Sequence, residues 1–133
     1  MDRPKNQRFI GSPPKMQGFK PFGIPKTPIE PLNLLFEESE SIKLLDYENL
    51  TQEEAALRMS VSRPTMTRIY EKARKTIARA FVEGKPILIE GGDFQTKKDW
   101  YRCGKCFKLF EGLESHTKCA LCPIYGQDEL IRI

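Results

Sequence analysis

Apolar residues recur at helical spacing over residues 50–84. Leu50, Ala55, Ala56 and Met59 mark one face of a short helix. Met66, Ile69, Ala73, Ile77 and Ala80 share a sector about 80° wide on a second helix, at about 100° per residue. Arg68, Lys72, Lys75 and Arg79 occupy a sector about 60° wide, nearly opposite. The ends are marked as well. Thr51 is a good N-cap, Glu54 can close a capping box, and Leu50 can staple onto Ala55. Ala56 is small where a second helix must cross closely. Ser60-Val61-Ser62 makes a turn, with Ser62 as the next N-cap and Val61 placed to pack on Met66. Pro64 falls in a first turn, where its missing N–H costs nothing, and Gly84 then Pro86 supply a stop. The pattern predicts a helix-turn-helix over residues 51–81, with a second helix from about Arg63 to Val82. In that unit the second helix often enters the DNA major groove.

Outside this stretch the pattern is weaker. Residues 36–47 predict a short supporting helix whose early glutamates suit a positive helix N-terminus. Ile42 and Leu45 would point inward, and its acidic surface away from DNA. Residues 85–92 read as a short apolar strand closed by a glycine turn. Seven of the ten prolines lie before residue 32, at a spacing no helix can pass through. Phe9, Ile10, Phe19, Phe22 and Ile24 are too many apolar residues for a purely solvated linker. An extended segment partly packed on the body is expected, with Arg3, Lys5 and Arg8 loose. A disordered tail, or an arm touching DNA phosphate or minor groove, are the alternatives.

The net charge of +4 says little by itself, but its distribution is uneven. Residues 1–35 carry a net +4, residues 36–50 a net −4, residues 51–85 a net +4, and the remainder is neutral. Between Arg58 and Arg79 there are seven basic residues and one acid, Glu71. Such a stripe can be a solvated helix face; on the second helix of a capped helix-turn-helix it points to nucleic acid. No apolar run approaches the roughly 20 residues of a membrane helix, and no signal peptide is visible, so a cytoplasmic protein without membrane attachment is expected.

All four cysteines lie in the last third, as Cys103-Gly-Lys-Cys106 and Cys119-Ala-Leu-Cys122. Two such pairs fit a tetrahedral site in which each donates two thiolates to Zn2+. Iron, as a cluster or a single ion, is the less favoured occupant. A redox CxxC lacks its βαβ frame, and disulfides do not suit a cytosolic chain. His116 reads as a loop residue, because four cysteines already fill the shell. A closed four-ligand site argues against zinc catalysis, so no enzyme activity is expected. Residues 100–102 and 130–133 look like strands of a zinc ribbon. The expected fold is therefore mainly α: a three-helix helix-turn-helix domain with a small β zinc ribbon at the C-terminus. The boundaries are an arm at 1–31, the DNA-binding domain at 32–92 and the ribbon at 93–133.

The chain also resembles a family of predicted bacterial and archaeal DNA-binding proteins, domain-of-unknown-function family 134. The resemblance rests on Arg3-Pro4-Lys5, residues 19–25, Leu50–Ala56, Val61–Thr65, Arg68–Lys75 and Ile89–Gly92, and covers roughly residues 3–94. Its helix-turn-helix is similar to the last DNA-binding region of bacterial sigma factors. That likeness implies that Arg63, Pro64, Thr67 and Arg68 face the groove, with Pro64 where sigma factors often carry an acid. The function expected is a sequence-specific, double-stranded-DNA-binding transcriptional regulator. Arg63 and Arg68 would contact base edges, and Thr65 and Thr67 would add methyl or hydroxyl contacts. Arg58, Lys72, Arg74, Lys75 and Arg79 would hold phosphates. Two alternatives remain at this point. One is an adaptor docking on RNA polymerase or another protein, with the ribbon as a second surface. The other is a zinc- or redox-responsive switch, suggested by Lys105, Lys108 and Lys118 around the thiolates. A homodimer is consistent with one half-site per chain.

Overall fold

The computed structural model describes residues 8–26, 29–104, 107–112 and 130–133. The elements in chain order are β1 (Arg8–Phe9), β2 (Gly18–Phe19), β3 (Leu32–Leu34), α1 (Phe36–Ile42), α2 (Gln52–Met59), α3 (Arg63–Glu83), β4 (Ile87–Ile89), β5 (Phe94–Gln95), β6 (Trp100–Cys103), β7 (Leu109–Glu111) and β8 (Leu130–Arg132). A wider π-helical turn, Lys43–Tyr47, continues α1.

The expectation of a mainly α chain carrying a small zinc ribbon is not met. The structure is about 39 % helix and 20 % strand, with the strands in three small sheets, and no zinc ribbon is evident among the described residues. The reason lies in the proline-rich arm. Prolines forbid helix but leave an extended backbone, which is free to pair. From Arg8 onward the arm does so: β1 runs parallel to β5, and β2 runs antiparallel to β4, which β3 flanks in parallel on its other edge. Pairing at β2 requires a glycine. A Cβ on Gly18 would lie 1.9 Å from the Ile87 carbonyl oxygen. The third sheet is antiparallel, with β6 between β7 and β8.

The helical centre follows its sequence signals closely. Thr51 caps α2: its Oγ1 accepts the Glu54 N–H at 3.2 Å, and the Glu54 carboxylate accepts the Thr51 N–H at 3.2 Å. Helix α2 ends at Ser60, which takes the left-handed conformation (φ 56°), and Val61 N–H closes the end on the Ala56 carbonyl at 3.0 Å. Ser62 then caps α3 by accepting the Thr65 N–H at 3.3 Å, and Gly84 (φ 67°) ends it. Three residues thus separate two well-capped helices.

Two small cores hold these elements, and α3 joins them. Its first half places Met66 among Leu44, Ala55, Ala56 and Met59. Farther along, Ala73 packs with Leu34 and Ile89 of the β2–β4–β3 sheet, flanked by Ile77, Phe36 and Ile42. The expected inward residues Ile42 and Leu45 are half-buried, while the π-helical turn buries Leu44 fully.

The acidic helix also departs from expectation. Its glutamates do not form a solvated surface: Glu37, Glu38 and Glu40 are all buried. Each takes up backbone or cationic partners. Glu37 pairs with Arg8 at 3.3 Å and accepts the Asp93 N–H at 3.2 Å. Glu38 accepts the Leu35 N–H at 2.8 Å, half of a capping box at the start of α1. Glu40 accepts the Gly11 N–H at 2.6 Å and pairs with Lys43 at 2.9 Å. Helix α1 therefore clamps the arm and the loop after β4. Gly92 (φ 98°) is needed there, since its Cβ would stand 2.1 Å from Glu37 Oε1. No helix among the described residues is long and apolar enough to cross a membrane.

Candidate nucleic-acid interface

The second capped helix, α3, is 21 residues long and displays its cations on one face. Arg68, Lys72, Lys75 and Arg79 are all exposed, opposite buried Met66, Ala73 and Ala80. Two of the four are tethered by carboxylates. Lys72 Nζ lies 3.8 Å from the buried Glu38, and Arg79 Nε donates to Glu83 at 2.9 Å. The Arg79–Glu83 pair is exposed on both sides, and a surface pair of this kind contributes little stability. Arg74 lies outside the stripe, with its guanidinium 5.3 Å from the centre of the Tyr70 ring. The Tyr70 hydroxyl donates to Asp46 at 2.6 Å, which holds the phenol above its ordinary pKa.

The structure brings the residues expected to reach base edges together in the first turns of α3. Arg63 and Pro64 are exposed, Thr65 and Thr67 half-buried, and Arg68 exposed. The first turn of α2 braces them. Glu53 pairs with Arg63 at 3.3 Å, and the Thr67 hydroxyl donates to the Gln52 side-chain oxygen. Thr65 Oγ1 in turn accepts from Arg68 at 3.3 Å. Gln52 and Glu53 escaped the sequence reading because they stand 15 and 10 residues from their partners. The signal was present in principle, since a three-residue turn brings the starts of both helices near each other. Arg58, grouped by sequence with the phosphate contacts, pairs with Glu48 at 3.7 Å and lines a cleft shared with Lys97 and Trp100.

Of the four expected metal ligands, Cys106, Cys119 and Cys122 lie outside the described residues, as do Arg3, Lys5, Lys105, His116 and Lys118. Cys103 ends β6 and is fully buried. Its N–H donates to the Lys108 carbonyl and its carbonyl accepts the Phe107 N–H, both at 3.0 Å, with Phe107 at a positive φ of 63°. Beside Cys103, Arg102 is buried and ties the sheet to the arm. Its guanidinium donates to the Pro14 carbonyl at 2.8 Å, to that of Lys15 at 3.1 Å and to that of Phe107 at 3.3 Å. Burial lowers the arginine's pKa from its ordinary value.

The sequence profile of a family described as "Protein of unknown function DUF134" matches residues 1–97. Among similar curated proteins, a UPF0251 protein of Halothermothrix orenii is 47 % identical over 111 residues, covering 84 % of this chain and 82 % of its own. One from Clostridium beijerinckii is 39 % identical over 131 residues, covering 98 % and 88 %. A third, from Caldanaerobacter subterraneus, is 48 % identical over 95 residues, covering 71 % and 80 %. No solved structure matches the chain.

Proposed function

The chain belongs to the DUF134 family, and on that premise we propose that it is a sequence-specific DNA-binding transcriptional regulator rather than an enzyme. The carrying observation is the exposed stripe Arg68, Lys72, Lys75 and Arg79 on a helix whose first turns, Arg63 to Arg68, are braced from α2. In this reading α2 and α3 form a sigma-like helix-turn-helix acting on cytoplasmic double-stranded DNA. Arg63 and Arg68 read base edges, with guanine N7 and O6 the usual arginine target. Pro64, Thr65 and Thr67 add apolar or hydroxyl contacts. Lys72, Lys75 and Arg79 hold phosphates and fix register, with Arg58 and Arg74 at the margins. A homodimer would place two such helices on two half-sites. The four cysteines would hold Zn2+, whose role is to stabilise the C-terminal segment.

The test is fluorescence anisotropy with the gene's own upstream duplex against a scrambled one at fixed salt. A preference of about 100-fold or more supports a specific regulator, within the usual range of specificity ratios. Arg63→Ala should relax the preference, while Lys75→Ala should weaken both duplexes alike. No salt-sensitive binding to either duplex overturns the reading.

A second reading is favoured by one observation. At the far end of α3, Phe81 is 88 % exposed and Val82 is 81 % exposed, a surface suited to a protein partner such as RNA polymerase. Nucleic acid co-purifying with the chain would favour the first reading over this adaptor.

A further inference from the structure

A cleft of about 760 Å³ opens where α2 ends, between the π-helical turn and the strands β6 and β7. Its size falls within the range of small-molecule sites. Phe9, Ile10, Leu57 and Trp100 contribute apolar lining, and Leu57 is 80 % exposed. The charged groups lining the cleft fall into pairs: Glu40 with Lys43 at 2.9 Å, Glu48 with Arg58 at 3.7 Å, and Glu111 with Lys98 at 2.6 Å. Lys97 is left over. It lines the same cleft and has no carboxylate partner among the described residues. The site thus combines apolar walls, an indole ring and one surplus cation.

We propose that this cleft binds a small aromatic carboxylate, with the carboxylate on Lys97 and the ring against Trp100 and Leu57. The surplus of one positive charge suits a monoanion better than free phosphate, which would gain nothing from the apolar lining. Leu57, Arg58 and Ser60 also line the cleft. Ser60 ends α2 in a left-handed conformation three residues before α3 begins at Arg63. An occupant would therefore touch the turn that sets α3 against α2. Binding itself is independent of whether α3 engages DNA.

Trp100 is the only tryptophan in the chain, so its emission reports on this cleft alone. The experiment titrates the full chain with benzoate, and with acetate, inorganic phosphate and chloride at matched ionic strength. Benzoate should give a saturable change in emission, at least tenfold tighter than acetate. Lys97→Gln should raise the benzoate Kd at least tenfold, about 1.4 kcal/mol. Lys97 is exposed, so the variant should fold. No saturable change with benzoate overturns the proposal. So does an equal response to acetate, phosphate or chloride, which would mean an adventitious ion only, or an unaltered affinity in Lys97→Gln.

Discussion

Helix α1 and helix α3 both carry runs of like charge, and they place them oppositely. Glu37, Glu38 and Glu40 of α1 are buried, whereas Arg68, Lys72, Lys75 and Arg79 of α3 stand in solvent. Charge alone does not decide which way a stripe faces. The carboxylates are acceptors, and around α1 the chain supplies unpaired backbone donors at Leu35, Gly11 and Asp93. Satisfying such donors repays part of the desolvation of a carboxylate. The cations of α3 are donors beside helical carbonyls that are already engaged, so burial offers them no backbone partner, and they stay exposed even where Lys72 and Arg79 meet a carboxylate. One stripe fastens the molecule together; the other stands in solvent.

Removing a carboxylate from α1 gives the largest expected contrast. Glu40→Ala strands the Gly11 N–H and leaves Lys43 unpaired, and should lower stability by about 2–3 kcal/mol in urea denaturation. A loss within about 0.5 kcal/mol would mean that water replaces the carboxylate and that the clamp is incidental.

An intermediate case is the capping pair of α2, where an acid is exposed yet still bonded. Thr51→Ala removes the acceptor for the Glu54 N–H and should cost about 1 kcal/mol. The Thr51 backbone N–H, and after it the Thr51 hydroxyl, hold the Glu54 carboxyl below its ordinary pKa. The variant keeps the N–H and loses the hydroxyl, so it should return Glu54 only part of the way toward that value, as carbon-detected NMR titration would show. An unmoved Glu54 would show that the Thr51 hydroxyl does not bond the carboxylate in solution.

On the basic stripe the sign of the contrast reverses. Lys75→Ala should change stability by less than about 0.5 kcal/mol. It should nevertheless reduce the slope of log affinity against log salt by about 1 on any duplex. If Lys75→Ala destabilised the fold as much as Glu40→Ala, the two stripes would not differ in role.

Much of the centre was legible in the sequence, because its determinants are local. Thr51, Glu54, Ser62, Pro64 and Gly84 act on residues one to four positions away, and the apolar spacing of Met66, Ala73 and Ala80 specifies a face within one helix. The strand patterns at residues 85–92, 100–102 and 130–133 were legible too, and they hold β4, β6 and β8; what escaped were the strands of the arm and their pairing. Strands β1 and β5 are two residues long, and the register pairs Arg8 with Phe94 and Phe9 with Gln95. Two residues carry no period, and a partner more than eighty positions away leaves no trace in a local window. The burial of the α1 glutamates was hidden for the same reason, since the donors they meet come from the arm and from the loop after β4. At the candidate interface the cations were legible, but their braces Gln52 and Glu53 were not.

The smallest predicted effect concerns Glu37, a buried α1 carboxylate whose pairing with Arg8 opposes its burial. Burial raises its pKa above the ordinary 4.5, while Arg8 and the Asp93 N–H lower it less strongly. A carboxyl whose pKa is higher in the folded chain than in the unfolded one binds more protons when folded. Its contribution is greatest below the ordinary value and declines as pH rises through the raised one. Glu37→Gln removes this titration and keeps an oxygen to accept the Asp93 N–H. In urea denaturation at about pH 4, 5.5 and 7, the wild type should lose ground relative to the variant as pH rises. The opposite slope, with the wild type gaining, would mean that the Arg8 ion pair outweighs burial. Glu37 would then belong with the paired surface charges of α3 rather than with the buried acceptors of α1.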